Sequence, residues 1–166
     1  LRLRAQGFDI TGLFVNPNIH PLAEYLRRRD AMAECAKHLE LPMIWRDDVW
    51  DIQGWTHTVS NLQANGQNRC IFCYASRLDI CAKMAKELQF DAFSSSLLYS
   101  RHQNHGQIMS QACDIAQKYD ANFYYEDFRD EWQKGIDLSK EFNLYRQNYC
   151  GCIYSETQRH AKKLNK

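Results

Sequence analysis

Proline and glycine are scarce in this chain, three and seven in 166 residues, and no repeat, low-complexity tract or Pro/Gly-rich linker divides it. With no segment of tether-like composition, the length reads as one α/β domain over 1–166, large enough for a real hydrophobic core. An excess of charge of one sign is also missing: 21 Lys and Arg stand against 20 Asp and Glu, a net charge of +1. That excludes a global basic field of the kind that holds nucleic acid without help from shape, so any RNA contact must come from local patches. There is no apolar signal segment and no apolar run long enough to span a membrane. No membrane partner is expected, and the expected location is the cytoplasm. An initial methionine is missing too. The chain opens on LRLRAQG, which reads as the last turns of a helix closed by Gly7, and predicts an N-terminal truncation or numbering from inside a longer protein.

Cysteine, by contrast, is plentiful. Seven cysteines, an odd number, in a chain without a signal segment favour a reducing compartment, where paired cysteines are ligands or redox centres more often than structural bridges. Four of them form two tight pairs, Cys70/Cys73 in NRCIFCYASRL and Cys150/Cys152 in NYCGCIYS, and the second pair is expected to fold back towards the first.

The remaining pattern alternates strand and helix. FDITGLFVNPNI predicts a buried strand from Phe8 to about Val15, punctuated by Asn16-Pro17-Asn18. Pro21 starts a helix over 21–40 with Leu22, Tyr25, Leu26, Met32, Cys35, Ala36 and Leu39 on its apolar face, and Arg27, Arg28 and Arg29 at its centre. That arginine run reads as a solvated face or a phosphate contact. PMIWRD reads as a short strand, and 47–68 as a short helix plus a loop carrying Trp50, Trp55 and His57. A long helix follows over 70–88, with Cys81 inward, then a strand over 91–99 and a helix in which Ile108, Met109, Ala112, Cys113 and Ala116 face inward. ANFYYEDF is read as a final strand, DEWQKGIDLSKEFNL as a final helix, and SETQRHAKKLNK as a fraying basic tail. This order predicts a Rossmann-like α/β fold, a mostly parallel sheet with helices on both faces. Its first strand is missing, which would leave a hole in the sheet and a chain that folds poorly alone.

Two thiols at C-x-x-C spacing on a helix's first turn share one face and one soft metal ion or cluster, and the positive end of the helix dipole favours thiolates. Flanking Arg69 and Arg77 would lower the thiol pKa values and offset the charge of a thiolate-bound cluster. A zinc knuckle or incidental core thiols are the plainer readings. Cys150 and Cys152 flank Gly151, and closing a disulfide across one residue makes a strained ring of the easily reduced kind. A redox-active disulfide, metal ligation and inert thiols all remain open there. His102 and His105, with Gln103 and Asn104, sit where a strand gives way to a helix, the edge on which open α/β sheets bind ligands. Asp127 and Arg129 occupy the equivalent place after the last strand, where a salt bridge or helix cap is the plainer reading.

Taken together, NPNIHP, RCIFCYASRL, SSLLYSRHQNH, EDFRDEWQKGI and LYRQNYCGCIYS resemble the epoxyqueuosine reductases of the QueH type, over almost the whole chain. The resemblance implies removal of the epoxide oxygen from epoxyqueuosine at the tRNA wobble position, the last step of queuosine synthesis. The cofactor it implies is a [4Fe–4S] cluster, alone or with an additional iron, working with a redox-active disulfide and an unidentified electron donor. Carried over by motif, Cys70 and Cys73 would be cluster ligands, and Cys150 and Cys152 the redox-active pair. His102, His105 and Asp127 are the candidate proton donors to the departing oxygen, and Arg69, Arg77, Arg101, Arg129 and Arg146 the candidate contacts to tRNA phosphates. The family's N-terminal strand, with its Cys-Cys pair and nearby third cysteine, has no counterpart here, so the chain alone is expected to hold no intact cluster and to be inactive. Two rivals remain: an ATP-dependent tRNA-thiolating enzyme, and a zinc-stabilised RNA-binding module.

Overall fold

A pair of three-residue strands, β1 (Gly12–Phe14) and β2 (Met43–Trp45), forms the only sheet among the described residues, 1–163, of the computed structural model. The strands run parallel, with Gly12 opposite Met43, Leu13 opposite Ile44 and Phe14 opposite Trp45. A parallel pair needs a crossover, and α2 (Leu22–His38) provides it. Before β1, α1 (Arg2–Ala5) ends as expected: Gly7 follows it at φ +92°, a conformation open to glycine without strain. The chain then divides into two compact units, Leu1–Ile52 with the segment from Leu138 onward, and Gln53–Asp137.

In the first unit Phe14, Ile19 and Tyr25 form a small aromatic core backed by Met32, Met43, Trp45 and Trp50. The face α2 buries differs from the apolar stripe its sequence suggests. Leu22 and Leu26 are exposed, whereas Glu24, Tyr25 and Arg28 are buried. A paired buried charge has overridden the hydrophobic pattern, and Cys35 is only half-buried. Past residue 144 a loop leads to α7 (Ile153–His160), where a fraying tail was expected. Glu156 in its first turn and Arg159 and His160 in its last complement the helix dipole. The last three residues of that expected tail lie outside the described residues.

The second unit is built on two long helices, α4 (Arg69–Glu87) and α5 (His105–Tyr119). Tyr74, Leu78, Ala82 and Ala85 recur along one face of α4 and meet Ile108, Ala112 and Ile115 of α5, with Phe93, Leu97 and Leu98 closing the core. Burying those apolar faces is what fixes the helix pair, since helix propensity alone is marginal at these lengths. Ahead of them α3 (Ile52–Ala64) is a full helix rather than a short one with a loop, anchored by Trp55 and Val59 one turn apart.

The expected strand over 91–99 shrinks to a single parallel bridge between Phe93 and Phe123, with Phe93 N donating to Asn122 O and Tyr124 N to Phe93 O. Downstream, the Ser95 hydroxyl accepts from Leu97 N and starts a 3₁₀ turn over Ser96–Tyr99, so the serine run caps a turn instead of extending a strand. The expected strand 121–128 is reduced to the same bridge. A 3₁₀ turn, Arg129–Glu131, then leads into α6 (Trp132–Glu141). Cys113, expected inward, is exposed: the buried stripe of α5 runs 108, 112, 115 and leaves 109 and 113 on the flank. The observed architecture is a mixed helical protein with a small parallel sheet.

Candidate functional site

In the first unit the chemistry gathers on the Cys150-Gly151-Cys152 loop. Cys150 is solvent-exposed and Cys152 is 5% exposed at the N-cap of α7. The two thiols share a hydrogen bond, and Cys150 Sγ also lies 2.9 Å from Ser155 Oγ, which in turn donates to Cys152 O. That shared hydrogen bond splits the pair: Cys150 is pulled down to about 5, helped by Ser155 and by the Arg28 charge, while Cys152 is pushed far up by the bond to Cys150 and by burial. The arrangement is an accessible thiolate beside a buried thiol, the form in which a dithiol exchanges with a disulfide.

The loop is held by parts distant in sequence. His20 N donates to Gly151 O at 2.8 Å, and the Tyr149 hydroxyl donates to His20 O at 3.0 Å. Gly151 has φ +111°, and a Cβ there would lie 2.9 Å from Ile19 Cγ1 and 3.1 Å from Arg28 Nη1. Only glycine fits both the conformation and the space. From α2, Arg28 donates to the carbonyls of Tyr149 and Cys150 and to Gln147 Oε1, and its Nε bonds Glu24 at 2.8 Å. Tyr145 closes the set with its hydroxyl on Glu24. Arg146 is exposed in the same loop.

In the second unit, Asn68 caps α4 by accepting from Cys70 N at 2.9 Å, which places Cys70 and Cys73 on the first turn. Both are half-buried. Among the described residues no three His, Cys, Asp or Glu side chains gather as a metal site. Tyr74, next to Cys73, donates to Gln103 Oε1 at 2.7 Å and accepts from Asn104 N at 3.4 Å. The cysteine-bearing helix thereby holds the histidine loop directly. His105 has both ring nitrogens buried with no hydrogen-bond partner among the described residues. Asp127 receives two hydrogen bonds from Arg129 Nε and a shorter one from its Nη2, which with the positive field of His105 hold the carboxyl far below the usual carboxylate range. His102 is exposed and meets the Trp132 ring edge-on, and Arg101 lies 5.9 Å over that ring while donating to Arg129 O. Arg77 sets its charge against Cys81, whose thiol burial pushes up to about 11, and Arg69 is half-buried at the start of α4.

The family model described as epoxyqueuosine reductase QueH matches residues 1–158. The chain belongs to the epoxyqueuosine reductase QueH family. Among curated relatives of that name, the Thermotoga maritima protein is 35% identical over 159 residues, 93% of this chain and 83% of its own. The Dehalococcoides mccartyi protein is 34% identical over 157 residues, 95% of this chain and 84% of its own. The Haemophilus influenzae protein is 36% identical over 156 residues, 91% and 63%. For this QueH family member, each motif quoted from the sequence falls at a structured feature: the loop after β1, the first turn of α4, the N-cap of α5, the start of α6 and the N-cap of α7.

Sequence reasoning missed three kinds of residue here. Arg28 was hidden in a run of three arginines, of which Arg27 is exposed and Arg29 bonds Asp47. Glu24 lies in no quoted motif, and Gln147 lay in LYRQNYCGCIYS three residues before Cys150. Tyr74 lay inside the RCIFCYASRL motif, and its place one residue after Cys73 was the available signal.

Proposed function

We propose that this protein reduces epoxyqueuosine to queuosine at the wobble position of tRNA. The observation that carries the reading is the Cys150/Cys152 pair, one thiol exposed and ionised, the other buried, in a chain of the QueH family. Removing the epoxide oxygen breaks two C–O bonds, forms a C=C bond and releases water, which requires two electrons and two protons. Oxidation of the pair, one thiolate and one thiol, to a disulfide supplies the two electrons and one proton, a second proton comes from a separate acid, and an external electron donor returns the pair to its reduced form.

The proton to the departing oxygen is assigned to His105. Arg129 holds Asp127 as the carboxylate, which removes it as an acid near neutral pH. His102, exposed against Trp132, is the weaker candidate. Cys70 and Cys73 fit one side of a thiolate-bound cluster: both stand on one turn, at a helix N-terminus where thiolate is favoured, and half-buried. When bound, a [4Fe–4S] cluster, alone or with an additional iron, supplies single-electron transfer and a Lewis acid to the oxygen. Arg69, Arg77, Arg101, Arg129 and Arg146 are proposed as contacts to tRNA phosphates, with Arg129 also committed to Asp127. No helix of the described residues is long and apolar enough to cross a membrane, and the protein is proposed to act in the cytoplasm, where its tRNA substrate is found. Each parallel pairing bridged by a helix, β1–α2–β2 and Phe93–α5–Phe123, is the repeat from which Rossmann-like sheets are made, which supports that fold.

The test is anaerobic turnover of epoxyqueuosine-containing tRNA by the natural gene product, with nucleosides read by mass spectrometry. Queuosine formation that is lost in Cys150→Ser supports the reading.

A further inference from the structure

The three consecutive arginines of α2 have three different fates. Arg27 is exposed and reaches Glu24 at only 3.7 Å, and Arg29 is half-exposed on Asp47 and Trp45. Arg28 is 8% exposed, and every bond it makes beyond its Glu24 partner goes to the redox loop. Its Nη2 donates to Tyr149 O at 3.1 Å, its Nη1 to Cys150 O at 3.2 Å and to Gln147 Oε1, and its plane lies 5.0 Å over the Tyr149 ring. A Cβ on Gly151 would come within 3.1 Å of the same Nη1, so the guanidinium sits against the residue that separates the two sulfurs. Burying an arginine is unfavourable unless it is paired and hydrogen-bonded; Glu24, itself 5% exposed and bonded by Tyr145, supplies the counter-charge on Nε, and the loop takes the Nη donors. A charge that served the fold alone could end on Glu24; this one is spent on the carbonyls beside Cys150.

We propose that Arg28, braced by Glu24, is a positioning residue of the Cys150–Cys152 pair, fixing the loop backbone so that the Cys150 sulfur is the one presented to the exchange partner. The proposal rests on the redox reading of the pair given above. The groups facing Cys150 are Cys152 of the loop, Ser155 of α7 and Arg28 of α2, and behind them Glu24, Tyr145 and Glu156 surround the neighbouring Tyr149. Arg28 is the one cation among them that reaches the Cys150 backbone.

The experiment measures two properties of the whole protein: the rate of Cys150 alkylation by iodoacetamide against pH, by peptide mass spectrometry, and the potential of the Cys150–Cys152 couple in a glutathione redox titration. In that titration oxidised glutathione takes two electrons from the dithiol and leaves as two thiols. Arg28→Gln removes the charge and the fork. It is expected to move the half-maximal pH of Cys150 alkylation upward and so to slow alkylation near pH 5, where the thiol is part-ionised, because an opposite charge this close stabilises the thiolate. The potential should fall with it, because a less stabilised dithiol form is a weaker oxidant's product. Arg28→Lys keeps the charge and most of the volume, so it provides a variant that folds, and it should lie between Arg28→Gln and wild type. Arg29→Gln, one residue on with the same charge change, should leave both readouts at wild type. Arg28 variants that melt cooperatively yet superimpose on wild type in both readouts overturn the proposal, as does an equal effect from Arg29→Gln. A wild-type protein that forms no Cys150–Cys152 disulfide at any potential overturns the redox reading itself, and is told apart because it needs no variant.

Discussion

The backbone amide of His20 donates to the carbonyl of Gly151 at 2.8 Å, across 131 residues of sequence. The bond joins the loop that follows β1 to the turn between Cys150 and Cys152, and Tyr149 returns a second bond to the His20 carbonyl. The Asn/Pro punctuation after the first strand therefore has a structural use: it forms the seat on which the Cys-Gly-Cys loop rests.

The seat predicts the response of Gly151 to substitution. Gly151→Ala places a Cβ 2.9 Å from Ile19 Cγ1 at φ +111°, so the strain is conformational and steric at once. A loss of roughly 1–3 kcal/mol is expected, seen as a lower urea midpoint with an unchanged slope. An unchanged midpoint would mean that the loop relaxes freely, and that it is not held as described.

The split between the thiols predicts a pH dependence with a definite sign. Cys150 ionises near 5 in the folded protein against an ordinary value of 9.0, chiefly through its hydrogen bond with Cys152. The unfolded chain binds this proton more tightly, so the contribution to stability is fully present above about pH 9 and is lost as pH falls through about 5. Wild type should therefore gain stability over Cys150→Ser steadily from pH 5 to pH 8.5 in urea melts. Iodoacetamide should label Cys150 half-maximally near pH 5 and leave Cys152 protected. A difference between the proteins that is flat with pH would contradict the thiolate.

His105 and Asp127 should separate in kinetics. His105→Ala is expected to lower kcat by ~10²–10⁴-fold, the range for a general acid, with tRNA affinity unchanged. Asp127→Asn should cost less, because it removes a field and not the proton carrier. Single-turnover rates with pre-bound tRNA measure this, and an undiminished His105→Ala rate would remove His105 from the mechanism.

The buried face of α4 and the corrected face of α5 can be checked by stability alone. Leu78, 1% exposed at the centre of the core, should lose ~2–5 kcal/mol as alanine. Cys113→Ser, on the exposed flank, should change stability by less than about 0.5 kcal/mol. A large loss at Cys113 would restore the inward orientation its spacing first suggested.

Much of this was legible in the sequence because it is local. The C-x-x-C on the first turn of α4, the parallel β1–α2–β2 unit and the Gly7 terminator all follow from spacing and residue type. What was not legible depends on pairing between distant segments. Leu22 and Leu26 look like core and are exposed, because Glu24 and Arg28 are buried by partners more than a hundred residues away, at Tyr145, Gln147, Tyr149 and Cys150. The strands over 91–99 and 121–128 failed for a different reason: β-favouring Phe and Tyr pair only at Phe93 and Phe123, and the Ser95 cap turns the chain immediately afterwards. Asp127 was weighed as both acid and salt bridge from its motif, and only the geometry of Arg129 around it shows which proton state it keeps.

The measurement that bears most directly on the account is turnover of epoxyqueuosine-containing tRNA by the anaerobically purified natural gene product, with iron and acid-labile sulfide measured on the same sample. The account predicts queuosine formation with wild type, none with Cys150→Ser or Cys152→Ser at unchanged iron and sulfide, and loss of iron and sulfide with Cys70→Ser or Cys73→Ser. Queuosine formed at the wild-type rate by the Cys150→Ser/Cys152→Ser protein would contradict it.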